Sequence, residues 1–223
     1  MNSLEIITTS DGSHTLRNTA MDETYHSVHG AKRESLHVFI ASGLEYFIQT
    51  RDARNISILE VGFGTGLNTL LTLQYAVRNH LEIHYTTLEP FPLTEEVWSR
   101  LNYTESEKDS KDFRALHEAG WDNPITTTPE FTLLKLKMSL LDLKARGQYD
   151  VVFFDAFAPA KQPELWSVEA LRRVIASLKP GGIFVTYSAK GQLKRDLKSL
   201  GVAVETLPGP PGKKEMVRAV LVS

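Results

Sequence analysis

The sequence contains no cysteine. This absence excludes disulfides, thiolate zinc sites, iron–sulfur clusters and cysteine nucleophiles. No stretch approaches the ~20 apolar residues of a membrane-spanning helix, and the first twelve residues lack the basic-then-apolar pattern of a signal peptide. A strong excess of one charge is also missing, because Lys+Arg number 25 and Asp+Glu number 27. We therefore expect a soluble, cytoplasmic protein whose affinity for nucleic acid, if any, comes from local basic patches.

The 223 residues, 42% of them hydrophobic, are enough for one domain with a small appendage. Asp11-Gly12 predicts a tight turn between two short strands. Residues 31–50 show helical periodicity. The apolar stripe of this predicted helix consists of Leu36, Phe39, Ile40, Leu44, Phe47 and Ile48.

From residue 56 onward, apolar strand patterns alternate with helical ones, which predicts a mostly parallel sheet covered on both faces. The last two strands are joined by a segment too short for a helical crossover, so we expect an antiparallel hairpin. Ser167 is a candidate helix cap, and Pro180-Gly181-Gly182 a helix stop. The predicted strands are 56–61, 83–89, 131–137, 149–155, 182–188, 202–207 and 216–222, and the predicted helices lie at 67–78, 93–101, 110–119, 167–178 and 191–200.

This order of elements predicts an α/β fold of the Rossmann-like, class I S-adenosylmethionine-dependent methyltransferase type. The sheet should have seven strands and end in the C-terminal antiparallel hairpin. We expect residues 51–223 to form this domain. Residues 1–50 should form a β-hairpin and a helix that cover the cofactor site.

The first strand of the predicted sheet ends in a glycine-rich stretch with G-x-G-x-G spacing. Gly62, Gly64 and Gly66 would let the backbone turn sharply and approach a ligand without collisions with Cβ atoms. The spacing differs from the G-x-G-x-x-G of dinucleotide-binding folds. Glu60, two positions before the first glycine, is an acidic candidate neighbour for a cationic methionine moiety. The alternative is that Glu60 only caps the loop.

Glu89 closes the second strand of the predicted sheet. Carboxylates at this position often accept hydrogen bonds from both ribose hydroxyls of a nucleoside cofactor. The alternative is a solvated acid at the end of a strand. Together with the glycine stretch and the strand pattern, Glu89 favours binding of S-adenosylmethionine.

Asp155 ends the strand at 149–155, where reacting groups gather in open α/β sheets. An amine acceptor must be unprotonated to be methylated, and a nearby carboxylate can take or relay its proton. Asp155 is therefore the candidate catalytic residue, and Phe157 and Trp166 are candidate walls for a planar base. The alternatives are that Asp155 caps the loop or contacts the cofactor, and that both aromatic residues belong to the core.

Three stretches, EVGFGTGLN at 60–68, DAFAPAKQPELW at 155–166 and GKKEM at 212–216, resemble the methyltransferase half of the MnmC family of bifunctional tRNA modification enzymes. The resemblance covers nearly the whole chain. It extends to Tyr25-His26-Ser27, Glu34-Ser35 and Ser188-Ala189-Lys190-Gly191.

This resemblance implies that the chain methylates the primary amine of 5-aminomethyl-(2-thio)uridine in the anticodon region of tRNA, with S-adenosyl-L-methionine as the cofactor. It implies that Asp155 is the catalytic acid of the D-x-F-A-P-A-K motif. It also implies that Glu89 and the glycine loop hold the cofactor, with loop residues Gly62, Phe63, Gly64, Thr65, Gly66 and Asn68 as candidates.

The sequence departs from the family pattern at several positions. Ala156 and Gln162 replace a glycine and an asparagine that are frequent in the family. The Gly-Asp pair near the adenine is missing, which leaves Asp142 as a guess for that contact. Because the sequence has one glycine loop and ends at Ser223, we expect a stand-alone methyltransferase without the flavin-dependent oxidase half. A separate protein would then supply the aminomethyl-uridine substrate.

Several lysines lie near the predicted acceptor entrance and could contact tRNA phosphates. Each of them alone is better explained as part of a solvated surface, and only their clustering favours tRNA. The histidines show no metal-ligand spacing, so we expect no metal. The lysine candidates for substrate binding are Lys161, Lys190, Lys213 and Lys214.

Three alternative functions remain open from the sequence. The chain could methylate a small-molecule amine, transfer an aminopropyl group to a polyamine, or be a catalytically silent RNA-binding module. An aminopropyltransferase would favour a more acidic pocket, and the glycine loop adds no further carboxylate.

Overall fold

The computed structural model describes residues 4–222 and contains a large mixed sheet preceded by a small one. The small sheet has three antiparallel strands: β1 (Leu4–Thr8), β2 (His14–Asn18) and β3 (Glu23–Thr24). The large sheet contains β4 (Asn55–Val61), β5 (Glu82–Leu88), β6 (Ile125–Thr128), β7 (Phe131–Leu136), β8 (Tyr149–Phe154), β9 (Leu178–Thr186), β10 (Val202–Pro208) and β11 (Glu215–Leu221).

The strand order of the large sheet is β10-β11-β9-β8-β4-β5-β7-β6. The five central strands are parallel, so their carboxyl ends meet at one edge. β11 pairs antiparallel with both β9 and β10. The expected α/β class, the mostly parallel sheet and the antiparallel C-terminal hairpin are therefore confirmed.

Helices cover both faces of this sheet and enclose two hydrophobic clusters. One cluster joins the N-terminal region to the sheet, because Leu16 and Phe39 pack in it together with Ile58 and Phe153. The helices are α1 (Ala31–Ser35), a π-helical segment (Leu36–Glu45), α2 (Tyr46–Arg51), α3 (Leu67–Asn79), α4 (Glu95–Trp98), α5 (Glu107–Glu118), α6 (Val168–Ser177) and α7 (Gly191–Ser199).

The helix expected at 31–50 is present but is π-helical through its middle. The wider π turn rotates successive side chains differently from an α-helix. Leu36, placed on the buried stripe by the sequence pattern, is 45% exposed, whereas Val38 is fully buried. Gly43 allows this helix to approach the sheet closely, because a Cβ there would lie 2.9 Å from a methyl carbon of Val185.

The strand count differs from the expected seven, because β6 adds an eighth strand at the sheet edge. It pairs antiparallel with β7 through a register shift between Thr126 and Thr128. The sequence pattern missed β6 because this strand is short, polar and mostly exposed. The hairpin around Gly12 forms as expected but gains β3 as a third strand.

Two helix boundaries follow from local capping. Ser167 accepts a hydrogen bond from the Ala170 amide and begins α6, as expected. Ser106 accepts one from the Asp109 amide, so α5 begins earlier than the expected 110. β9 begins at Leu178, ahead of the expected 182, because Leu178 pairs with Tyr149. The register of this pairing shifts between Tyr149 and Val151.

Within residues 4–222, no helix combines the length and apolar character needed to cross a bilayer. The same part of the chain contains no group of three or more His, Asp or Glu side chains arranged to hold a metal ion. Residues 1–3 and 223, at the ends of the two expected regions, lie outside the described residues.

Candidate active site

The glycine loop connects β4 to α3 and requires glycine at three positions. Gly62, Gly64 and Gly66 have φ values of 94°, 50° and 76°, a region that residues with a Cβ rarely occupy. A Cβ on Gly62 would lie 3.0 Å from the carbonyl oxygen of Asp155. Glycine at position 62 therefore lets the loop pass close to the end of β8, the neighbour of β4 in the sheet.

Glu89 holds this loop from the end of β5. Its carboxylate accepts hydrogen bonds from the amide of Gly64 at 3.0 Å and from that of Phe91 at 2.8 Å. Burial raises the pKa of Glu89, and the two backbone hydrogen bonds oppose this rise. A carboxylate has about four lone-pair positions, so Glu89 retains capacity to accept hydroxyl donors from a ligand.

A cavity of about 630 Å³ lies above the carboxyl ends of the central strands. We call it the first cavity. Its walls come from the glycine loop, residues 88–94, residues 137–140 and the start of the loop after β8. The N-terminal region closes it with Tyr25 and His26. This volume is in the range of sites that bind drug-sized ligands and cofactors.

Asp155 is half-buried on the wall of the first cavity. The side-chain amide of Asn68 donates to its carboxylate at 2.8 Å. Burial raises the pKa of Asp155 to about 7, with a further rise from the negative charge of Glu34, while Asn68 and Lys213 lower it. A carboxyl that titrates near neutral pH can accept a proton from an amine and release it again.

Glu60 is buried behind the glycine loop and does not line the cavity. The hydroxyls of Thr87 and Thr69 donate to its Oε2 at 2.7 Å and 3.1 Å. Burial raises the pKa of Glu60 to about 8, so the group is largely protonated at neutral pH. This placement does not bring the Glu60 carboxyl to a ligand, in contrast to the expected contact with a methionine moiety.

The loop after β8 presents Phe157 but not Trp166 to the cavities. Phe157 packs edge-on against Tyr25 with ring centroids 4.9 Å apart, and both rings line the first cavity. Trp166 is buried against Phe154, and its indole N–H donates to the carbonyl of Phe157 at 2.8 Å. Trp166 is therefore a core residue that orients Phe157, because its ring already packs in the interior.

The four lysine candidates for substrate binding lie at different places in the structure. Lys213 lines a second, smaller cavity beside the first. Lys161 donates to the carbonyl of Met21 at 2.7 Å and so ties the loop after β8 to the N-terminal region. Lys190 and Lys214 are exposed and line neither cavity.

Asp142, the candidate for the adenine contact, also lies away from the first cavity. Asp142 is exposed on a short 3₁₀ turn and does not line the first cavity, whereas the nearby Met138, Ser139 and Leu140 do. Of the expected loop residues, Gly62, Phe63, Gly64, Thr65, Gly66 and Asn68 all line it.

Sequence reasoning missed two parts of the site. Phe91 is 78% exposed at the mouth of the first cavity, directly after Glu89. Tyr25 and His26 belong to the stretches that resemble the MnmC family, but the sequence assigns them no role in a site. A lone aromatic residue after a strand and an isolated N-terminal Tyr-His pair carry no spacing signal, so folding alone brings them to the cavity.

Comparisons with known proteins point to one type of enzyme. A family model described as S-adenosyl-L-methionine-dependent methyltransferase matches residues 119–222. The bifunctional tRNA 5-methylaminomethyl-2-thiouridine biosynthesis protein MnmC of Pseudomonas fluorescens is 30% identical over 217 residues, which cover 91% of this chain and 32% of that protein. The chain thus spans about a third of the length of the curated relatives it matches.

Solved structures agree with this similarity. The crystal structure of MnmC2 from Aquifex aeolicus superimposes with a TM-score of 0.81 at 28% identity, covering 99% of this chain and 71% of that one. Spermidine synthase from Thermotoga maritima reaches a TM-score of 0.52 at 12% identity, covering 99% of this chain and 73% of that one, which indicates a shared fold only.

Proposed function

We propose that this chain methylates a tRNA wobble uridine, because it matches a family model for S-adenosyl-L-methionine-dependent methyltransferases over residues 119–222 and resembles the methyltransferase region of MnmC. The acceptor is the primary amine of 5-aminomethyl-(2-thio)uridine, and the product is 5-methylaminomethyl-(2-thio)uridine. The partner is the anticodon region of tRNA. A separate protein supplies the aminomethyl-uridine.

The residues of the first cavity fit S-adenosyl-L-methionine. Thr65 and Asn68 line the cavity at the end of the glycine loop, and the Asn68 side-chain amide donates to Asp155 on the cavity wall. Glu89 retains acceptor capacity for ribose hydroxyls, and Leu88, Met138 and Leu140 offer an apolar surface for the adenine ring.

S-adenosyl-L-methionine bound there would supply an electrophilic methyl group for the acceptor nitrogen, with its sulfur as the leaving group. Asp155 acts as the base for the acceptor amine. Its carboxylate accepts the proton that the aminomethyl group must lose before its lone pair is available. Asn68 holds this carboxylate in place through the 2.8 Å hydrogen bond. Tyr25 and Phe157 flank the reacting groups and limit their orientation.

One observation carries the proposal: the carboxyl of Asp155 faces the first cavity and titrates near pH 7. A group of this pKa is suited to deprotonate an amine at neutral pH. A silent RNA-binding module would have no need for it.

Nucleoside mass spectrometry tests the proposal directly. The purified chain would be incubated with isotope-labelled S-adenosyl-L-methionine and with tRNA that carries 5-aminomethyl-2-thiouridine. We expect labelled 5-methylaminomethyl-2-thiouridine, and no label in tRNA whose wobble amine is already methylated. Label that appears only in small amines added to the reaction would overturn the tRNA assignment.

A further inference from the structure

The second cavity has a volume of about 290 Å³ and adjoins the first. The two cavities share the wall residues Tyr25, His26, Ala156 and Phe157. The second cavity is therefore next to the first, and the Tyr25–Phe157 ring pair belongs to the wall between them.

A buried ion pair forms the polar end of the second cavity. The carboxylate of Glu34, only 6% exposed, accepts a hydrogen bond from Lys213 and another from the amide of Ser27 at 2.6 Å. The Lys213 ammonium also lies 3.8 Å from the ring centre of Tyr187. These contacts occupy two of about four lone-pair positions on Glu34, and one of the three N–H donors of Lys213 is directed to a carboxylate.

The walls around this ion pair are held in fixed positions. The Tyr187 hydroxyl donates to the carbonyl of Ala156 at 2.9 Å, which orients its ring. Gly212, next to Lys213, packs so tightly on His29 that a Cβ there would overlap the imidazole ring. The β10–β11 loop is thereby fixed against the N-terminal region. The cavity is preorganised, which lowers the entropic cost of binding a flat ligand.

We infer that the second cavity binds the uracil ring of the acceptor, with Glu34 accepting from N3–H and Lys213 donating to the carbonyl oxygen at C4. This inference rests on the proposed function and specifies how the base is recognised. The aromatic walls suit a planar ring that is turned out of its stack and read at its Watson–Crick edge. The ion pair is neutral overall, which suits a neutral base better than a polyamine cation.

The same pair of groups rejects cytosine. Cytosine presents an acceptor at N3 and an amino donor at C4, so its N3 would face the Glu34 carboxylate and its amino group would face Lys213. Both contacts are repulsive, and mismatched buried polar groups give strong discrimination.

The orientation of the ring agrees with the chemistry. In uracil, C5 lies on the side of the ring opposite N3 and C2. This binding mode requires C5 to face the wall that the two cavities share. Ala156 and Phe157 in this wall directly follow Asp155, so the aminomethyl group on C5 would point to the first cavity.

Two RNA hairpins test this inference, identical except for 5-aminomethyluridine or 5-aminomethylcytidine at one loop position. Binding is measured by fluorescence anisotropy with S-adenosylhomocysteine present, so that no methyl transfer is needed for the readout. The natural chain should prefer the uridine hairpin by roughly 10-fold or more, the scale of a two-point base contact. Glu34→Gln and Lys213→Gln should each reduce this preference to below about 3-fold.

The ratio of two affinities does not depend on the folded fraction, so partial unfolding of Glu34→Gln does not obscure the result. Lys213→Gln changes a more exposed side chain and provides a second test of the base preference. Glu107→Gln and Lys111→Gln break an exposed ion pair on α5 and should keep the natural preference.

Two outcomes would overturn the inference: equal binding of both hairpins by the natural chain, or an unchanged preference in both cavity variants. Failure of the proposed function looks different, because methyl transfer to the uridine hairpin would then be absent. The binding ratio still decides the base assignment in that case.

Discussion

Asp155 combines three properties that a proton acceptor for an amine needs. It faces the first cavity, it is fixed by Asn68, and its pKa is raised to about 7, chiefly by burial. Trp166 and Gln162 support the neighbouring Phe157, because the indole N–H donates to its carbonyl and its amide donates to the Gln162 side chain. The residues around Asp155 thus position both the acid and the adjacent ring.

Asp155→Asn should lower the methyl-transfer rate by ~10²-fold or more, because the amide cannot accept the proton. The rate of the natural chain should rise with pH to a plateau with a midpoint near 7, as Asp155 loses its proton. Single-turnover rates from pH 5.5 to 8.5 measure both effects.

Cofactor affinity serves as the control for this variant and should stay unchanged by calorimetry. Asn68→Ala provides a second check. Removing its hydrogen bond takes away an interaction that lowers the pKa of Asp155, so the midpoint should move to higher pH. A midpoint that stays in place in Asn68→Ala, together with full turnover in Asp155→Asn, would contradict the assignment.

Glu89→Ala should weaken binding of S-adenosyl-L-methionine by ~1–3 kcal/mol, the cost of losing a charged hydrogen-bond partner. The variant loses the proposed ribose acceptor and also the support that Gly64 and Phe91 receive from the carboxylate. Calorimetry with S-adenosylhomocysteine measures the change. Glu118→Gln, on the exposed face of α5, should bind like the natural chain; equal affinities in all three proteins would exclude the contact.

At the scale of elements, the C-terminal end of α5 contacts the glycine loop and supports its conformation. His117 stacks on Trp98 with ring centres 4.6 Å apart and hydrogen-bonds the carbonyl of Thr65 at 3.1 Å. The buried Lys135 donates to the carbonyls of Leu116 and His117 and so satisfies the free end of the helix. The loop conformation therefore depends on residues about 50 to 70 positions away.

Gly66→Ala should lower both the free energy of unfolding and cofactor affinity. The position has a φ of 76°, and the new Cβ would lie 2.8 Å from Nε2 of His117. We expect a loss of ~1–3 kcal/mol in stability from backbone strain and displacement of the imidazole. Urea unfolding and calorimetry measure the two quantities.

Gly201→Ala is the matched control for the loop variant. Gly201 has a φ of 83°, but a Cβ there would meet nothing within 4 Å. The Gly201→Ala variant therefore introduces backbone strain without a collision, and it should leave cofactor affinity unchanged. If both variants lose the same stability and neither loses affinity, His117 does not support the loop.

At the scale of the whole molecule, the neighbouring strands β4 and β8 end near Glu60 and Asp155, whose pKa values are raised to about 8 and about 7. Burial is the main cause for both Glu60 and Asp155. The charge of Asp155 further raises the pKa of Glu60, and the charge of Glu34 further raises the pKa of Asp155. Between their unfolded pKa values near 4 and the folded values of about 7 to 8, these two groups bind more protons in the folded state, which lowers stability as pH rises. Burial lowers the pKa values of His26 and His117 to about 4 and about 3, so below about pH 6.5 these two histidines act in the opposite direction.

The free energy of unfolding should decrease from about pH 6.5 to pH 8, where His26 and His117 are neutral in both states, by up to ~1.4 kcal/mol per pH unit for each carboxyl. Glu60→Gln removes one of the two titrations and should flatten the decrease. Urea unfolding at pH 6.5, 7.0, 7.5 and 8.0 tests this dependence. Glu118→Gln should retain the natural slope, and a natural chain that gains stability over this range would contradict the two raised pKa values.

Short-range patterns in the sequence determined the class of the fold and the location of the site. The alternation of strands and helices, the cap at Ser167 and the turn at Gly12 depend on neighbouring residues, and each of them is confirmed. Glycine spacing and the acids at strand ends predicted the residues around the first cavity, because parallel strands bring their carboxyl ends to one edge.

Tertiary packing decided which of these residues face a ligand. Glu60 and Trp166 carry the right chemistry in the sequence, but the sheet and the loop after β8 bury them. Glu34 and Lys213 are 179 residues apart, and only the docking of the N-terminal region onto the β10–β11 loop makes them one site. The π-helical turns and the polar edge strand β6 likewise depend on packing partners. Local patterns report neighbours along the chain, whereas a cavity wall is assembled from distant segments.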